Sequence, residues 1–313
     1  MEDISMVEKS DIIEEFIQIV ARKNPFQEKM LREWSIEEDE RGELFRIFQY
    51  FMEVQGYRLE ELAQAYTFIN NMVLEETYYF IENGTYRNST FNEVNDIVYQ
   101  NEEYMKKYML GLSISDYIWT QHLKMLRWFR EVLNDFSALA KEAKSSYLEI
   151  GPGFGQYLMK ALKNESFSSY LAVDLSPISV EQCRKYLSYC GMDREECQIQ
   201  KMDFFDFSDD RQFDFIVMGE VLEHVERPFQ MLEKIYSLLA DAGKAFVTTV
   251  INAPAIDHIY LFHSKEQVLE MAEKAGFFVE DYLCVTANDI PLHKAEKRNR
   301  AIDIAMVLTK NKG

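Results

Sequence analysis

Apolar residues recur at three- and four-residue steps over Asp11 to Ala21, Glu38 to Met52, Leu59 to Ile81 and Asn92 to Leu110, the spacing that gathers them on one face of a helix. A longer pattern from Ile114 to Phe136 is apolar on more than one side, which predicts a helix packed between two bodies. Between these helices, Asn83 to Thr90 (NGTYRNST) reads as a loop. Near residue 140 the texture changes. Short β-rich runs now alternate with helices: strand SYLEI, a helix from Gly155, strand YLAVD, a helix from Pro177, strands CQIQKM and FDFIVM, a helix from Pro228, and strand GKAFVTTV. A helix from Ser264 to Ala275 and two last strands, FFVEDYLCV and AIDIAMVLT, complete the order. Such alternation predicts an α/β fold with a doubly wound, mostly parallel sheet covered by helices on both faces. The last two strands, read as joined without a helix, predict an antiparallel hairpin at the edge. Two regions follow: residues 1–140, an all-helical cap that selects the substrate, and residues 141–313, the sheet domain.

Composition narrows what this chain can do. A length of 313 residues with 47% hydrophobic content fills a globular core. No apolar run approaches the roughly 20 residues of a membrane helix, and MEDISMVEKSDIIEEF is acidic where a secretory signal is basic and then apolar. The expectation is a cytoplasmic protein without a membrane partner. Cys183, Cys190, Cys197 and Cys284 form no CxxC pair and read as buried free thiols. With 53 acidic against 34 basic residues the net charge is −19, which repels a phosphate backbone and excludes nucleic acid as the expected partner. Lys294, Lys297, Arg298 and Arg300 read as a solvated charge run before the last strand. The expected partner is a small-molecule substrate; the oligomeric state is open, and a homodimer is compatible with it.

Chemistry enters at Glu149-Ile150-Gly151-Pro152-Gly153-Phe154-Gly155, directly between a strand and a helix. Glycines let the backbone turn tightly and approach a ligand, and a helix N-terminus offers unpaired N–H groups. A glycine loop alone is weak evidence, since dinucleotide folds use a related pattern. Its surroundings decide: Asp174 ends the second strand, where a carboxylate can accept both hydroxyls of a ribose, and Asp203 with Phe204 ends the third, placed for an adenine. Contacts at successive strand ends converge on one crevice.

Through YLEIGPGFG, LAVDLSP, KMDFFDF, FDFIVMGEVLEHV and GKAFVTT, in that order, the sequence resembles the Rossmann-like class I S-adenosylmethionine-dependent methyltransferase superfamily. The resemblance implies that Glu149, Gly151, Gly153 and Gly155 pass the methionine part of S-adenosylmethionine. It implies further that Asp174, with Leu175 beside it, holds the ribose, that Asp203 and Phe204 meet the adenine, and that Glu220 and Val221 border the cofactor.

A sulfonium methyl is already electrophilic, so an enzyme of this kind aligns a nucleophile and manages one proton. The residues read as serving that step are His224, His122, His258, Tyr260 and Asn252. His224 has a helix-capping alternative and Asn252 a turn-forming one before Pro254. Glu220, Glu223 and His224 with the later Asp257-His258 form E-x-x-E-H plus D-H, two carboxylates and two imidazoles that could hold a divalent metal. The spacing is similar to that of small-RNA 3′-end methyltransferases, which bind a metal there, yet it also occurs in related enzymes without one. The expectation is S-adenosylmethionine and no metal. Tyr104, Tyr108, Tyr117, Trp119 and Met125 are read as the substrate wall, on a helical region that closes over the cofactor. The function expected is methylation of a small molecule at oxygen, nitrogen or carbon. Alternatives are an enzyme that consumes S-adenosylmethionine itself, closing its aminobutyrate chain as azetidine-2-carboxylate synthases do and releasing methylthioadenosine, a protein-substrate methyltransferase, and a cofactor-binding protein without turnover.

Overall fold

A computed structural model describes residues 6–24, 27–28, 30–31, 34–139 and 145–310; the boundary read between 140 and 141 lies outside them. The helical part comprises α1 (Met6–Lys23), α2 (Glu38–Gln49), which widens into a π-turn over Tyr50–Val54, α3 (Leu59–Asn83), α4 (Glu102–Ile118) and α5 (Thr120–Leu139). Gly84, at φ 69°, stops α3 in the left-handed conformation that favours glycine, and its N–H donates to Phe80 O.

Two helix boundaries differ from the sequence reading, each for a local reason. The run from Asn92 is broken after a short turn, Phe91–Val94 and Asn95–Tyr99, because the Asn101 side chain accepts the Tyr104 N–H and starts α4 afresh. That helix then continues past Leu110 to Ile118 and stops at Trp119, whose φ of −76° and ψ of 123° leave the helix while its N–H still donates to Ser115 O. Apolar periodicity runs through both breaks, since the two sides of each share one core. Gly111 permits the α3–α4 crossing: an added Cβ would lie 2.5 Å from Ala65 O and 2.4 Å from Ile69.

The sheet follows with β1 (Ser145–Ile150), α6 (Gln156–Asn164), β2 (Phe167–Asp174), α7 (Pro177–Tyr189), β3 (Cys197–Lys201), β4 (Phe213–Met218), α8 (Pro228–Leu238), β5 (Leu239–Ile251), α9 (Lys265–Lys274), β6 (Phe277–Thr286), α10 (Leu292–Lys297) and β7 (Ile302–Lys310). Spatial order is β3-β2-β1-β4-β5-β7-β6. All neighbours from β3 through β5 are parallel, whereas β7 runs antiparallel between β5 and β6. The last two strands therefore pair as read, but α10 stands between them and carries Lys294 and Lys297. Being inserted rather than at the edge, β7 is buried on both faces, which explains a run that is apolar from Ile302 to Leu308 except for Asp303.

One apolar core extends from the helices into a face of the sheet. Phe16, Phe48 and Tyr66 belong to the same buried cluster as Phe129, Phe215 and Phe246. Along α5, Phe129 lies 5.0 Å from the ring of Phe246, and Phe136 lies 5.0 Å from Phe215. On the opposite face α8 and α9 cover a second cluster around Ile216, Val247 and Ile304. Among the described residues no helix is long and apolar enough to cross a membrane, and all four cysteines are free thiols.

Candidate active site

The helices roof a cavity of about 1080 Å³ over the C-terminal ends of the parallel strands, where ligands of open α/β sheets bind. One end is the glycine turn. Gly151, Gly153 and Gly155 have φ of 66°, 54° and 91°, and a Cβ on Gly155 would come within 2.7 Å of Cys183 Sγ. Only glycine satisfies both the dihedral and the close approach there. Gly151 and Gly153 line the cavity, while Gly155 supports the turn from behind.

Asp174 closes this end from β2. Its carboxylate accepts the Ser176 N–H at 2.8 Å and the Gly153 N–H at 3.4 Å. Burial raises its pKa to about 6, against the lowering effect of those two N–H groups. Leu175, Asp203, Phe204, Glu220 and Val221 also line the cavity. Glu149 does not: it is buried, accepts a hydrogen bond from the Tyr147 hydroxyl, and is pushed up to about 8 by burial, partly offset by Tyr147, with the Asp174 charge adding.

Binding that uses Asp174 as a double acceptor requires the ionised form, so cofactor affinity is expected to be constant above about pH 7 and to fall as pH drops through about 6, approaching tenfold per unit below it. Titration of S-adenosylhomocysteine binding between pH 5 and 8 checks this; a flat profile sinks it.

The other end of the cavity concentrates buried carboxylates and imidazoles in two groups, divided by the alternation of β5. Thr248 donates to Glu220 Oε1 at 2.6 Å, and its neighbour Thr249 donates to Glu223 Oε2 at 2.7 Å. With Glu220 belong His122, Asp116 and Asp303. His122 Nδ1 lies 3.4 Å from Asp116 Oδ1. Burial would lower the His122 pKa, but Asp116, Asp303 and Glu220 more than offset it, and the imidazole stands above its ordinary value. Asp303 projects from β7; burial, the Glu220 charge adding, raises it to about 7 despite His122. Glu220 has φ 52°, a strained conformation for a residue with a side chain.

Around Glu223 stand His224, His258 and Asp257. The His224 ring meets the His258 ring at 4.8 Å, and the Tyr108 hydroxyl donates to Asp257 Oδ2 at 3.0 Å. Burial, with His224 adding, holds His258 down at about 4.

Several residues read as site members lie outside the cavity wall. Asn252 takes φ 50° and donates to His263 O, the work of a turn residue. Tyr260 packs its ring on Phe262 at 4.7 Å in the second core. Tyr104 packs edge-on against Phe68, and Tyr117 is buried with its hydroxyl near Glu43 and Gln156. Tyr108, Trp119, His122 and Met125 do face the cavity, as do Glu223, His224 and His258. Asp116, Asp257 and Asp303 complete the polar end; the sequence reading named Asp257 only as part of the D-H motif and missed Asp116 and Asp303. For Asp303 a signal exists, since a lone carboxylate in the apolar run AIDIAMV must be buried.

This fold, with an antiparallel strand inserted between β5 and β6 and a glycine turn facing a strand-end aspartate, is that of class I S-adenosylmethionine-dependent methyltransferases. Residues 148–245 match the family described as "Methyltransferase domain", and a helical region precedes the sheet that carries this match. It is 26% identical over 181 residues to the mitochondrial ubiquinone biosynthesis O-methyltransferase of Candida albicans, covering 58% of this chain and 52% of that protein. The corresponding protein of Dictyostelium discoideum is 23% identical over 132 residues, 40% of each. The chain thus spans about half the length, or less, of these curated relatives. The mitomycin 7-O-methyltransferase MmcR superposes over 80% of this chain and 70% of its own with a TM-score of 0.53 and 15% identity, a likeness of fold.

Proposed function

We propose that this protein transfers the methyl group of S-adenosylmethionine to a small molecule enclosed beneath the helical cap. The carrying observation is the extent of the cavity: about 1080 Å³, continuous from Asp174 and Gly151 to His122, Trp119 and Tyr108. Pockets of roughly 300–1,000 Å³ house one drug-sized ligand, so this one has space for an acceptor beside the cofactor. Roofing by buried helices favours a small acceptor over a protein segment, and a net charge of −19 disfavours nucleic acid. Both curated relatives are O-methyltransferases, which favours an oxygen acceptor.

S-adenosylmethionine supplies an electrophilic methyl group, and the chain's residues supply position and proton handling. Gly151, Gly153 and Asp174 hold the cofactor; Met125, Trp119 and Tyr108 exclude water and align the acceptor in line with the methyl group. His122, steadied by Asp116, takes the acceptor proton at its free ring nitrogen.

Incubation with methyl-labelled cofactor and a panel of phenols should yield S-adenosylhomocysteine and labelled product. His122→Asn should lower kcat by about 10²- to 10⁴-fold, the range of general-base contributions, with cofactor affinity retained. Methylthioadenosine as the nucleoside product would instead establish consumption of the cofactor itself.

A further inference from the structure

We propose that Glu223, His224 and His258 bind one first-row divalent metal ion in the wall of the cavity. This goes beyond the methyl-transfer reading and does not depend on it.

His258 Nδ1 lies 2.6 Å from Ala253 O, and His224 Nδ1 lies 3.0 Å from Asp257 O. A carbonyl oxygen only accepts, so each Nδ1 carries the proton, and each neutral ring keeps a lone pair on Nε2. Glu223 is fully buried. Its Oε2 accepts from Thr249, while Oε1 has no hydrogen-bond partner among the described residues. That orphan oxygen is 3.8 Å from His224 Nε2.

Ligand atoms of the three residues all fall within 4.8 Å of one another. Three potential ligand atoms, two imine nitrogens and a carboxylate oxygen, thus converge on one buried space. Buried polar groups are paired almost without exception, and a cation pairs all three at once.

The surroundings have the form of a second coordination shell. Backbone carbonyls on both Nδ1 atoms fix the tautomers and ring planes, as outer partners of metal-bound histidines do. Oxygen and nitrogen atoms about 2.0–2.2 Å from a common metal lie roughly 3–4 Å apart, so the observed spacing needs little closing.

Glu220, part of the four-residue set suggested by the sequence spacing, is not in the cluster; its Oε1 is engaged by Thr248. Two imidazoles and one carboxylate suit zinc, iron(II), cobalt(II) or manganese(II) better than magnesium or calcium, which prefer oxygen ligands. All three residues line the cavity, so the remaining coordination positions open towards it.

The test uses the full chain after chelator treatment and the metal alone. Calorimetric titration with zinc chloride and visible absorption with cobalt(II) should show one ion per chain. Affinity should fall at least 100-fold in Glu223→Gln and in His258→Gln. His224→Asn, at a more accessible side chain, gives the same expected loss with less risk to folding. S-adenosylhomocysteine binding by each variant reports an intact fold. Failure of the parent protein to bind one equivalent, or undiminished binding in folded variants, overturns the proposal.

Discussion

Asp174→Asn is expected to weaken binding of S-adenosylmethionine and S-adenosylhomocysteine by about 100-fold while leaving the fold in place. The carboxylate at the end of β2 already accepts the Ser176 and Gly153 N–H groups, and it retains lone pairs for a ribose. An amide offers one acceptor oxygen and two N–H donors. Its NH2 would therefore face a backbone donor, either the Ser176 N–H or the Gly153 N–H. Hydrogen bonds to a charged partner contribute about 1.5–3 kcal/mol each, and losing one corresponds to roughly 10- to 150-fold. Since Asp174 also orders the glycine turn, the loss should fall towards the upper part of that range. Isothermal titration with S-adenosylhomocysteine measures it directly; a variant within threefold of the parent would remove Asp174 from the cofactor site.

Glu43→Gln should be the most destabilising of these substitutions, by about 3 kcal/mol at neutral pH. Glu43 projects from α2 to Lys160 and Lys163 of α6, at 2.8 and 2.7 Å, and accepts the Tyr117 hydroxyl of α4 at 3.0 Å. Lys160 is itself 10% exposed, so removing the carboxylate leaves a poorly solvated ammonium. Burial alone would raise the Glu43 pKa, but the two lysines overcome it and set the value at about 2. Because the folded value lies below the ordinary 4.5, the stabilisation is complete above about pH 5. It disappears as pH falls through 4.5 towards 2. Urea denaturation of parent and variant at pH 7 and pH 3 should therefore give a large difference at the first and a smaller one at the second. Equal differences at both would show that the ion pairs are not its source.

The convergence of the glycine turn and Asp174 was legible because these residues occupy strand ends. A strand period, a glycine turn and an aspartate at the next strand terminus place Gly151 and Asp174 together before any coordinates exist. Glu149 shows the limit of that logic, since strand alternation turned it towards Tyr147 and away from the cavity. At the polar end the sequence named His122, Glu223, His224 and His258 but not two of their partners. Asp116 and Asp303 come from α4 and β7, nearly two hundred residues apart, and only the packing of α5 across the sheet brings both to His122. Asn252 and Tyr260 were read into the cavity from their position after β5, which is correct for the chain but not for the side chains. A left-handed Asn252 and a Tyr260 anchored on Phe262 point elsewhere. The break at Trp119 left no mark either, because buried residues on both sides of it keep the helical period.

The shared core of α5 and the sheet bears on how ligands come and go. Phe129 and Phe136 pin α5 to Phe246 and Phe215 through tightly packed aromatic rings, and closely packed interiors yield poorly to gradual shearing. Swinging the whole cap away would strip apolar surface from both partners at once. The helices of the roof are interrupted at the non-helical joint at Trp119 and at the short turns between Phe91 and Asn101, so the cap is expected to yield at these seams before α5 leaves the sheet.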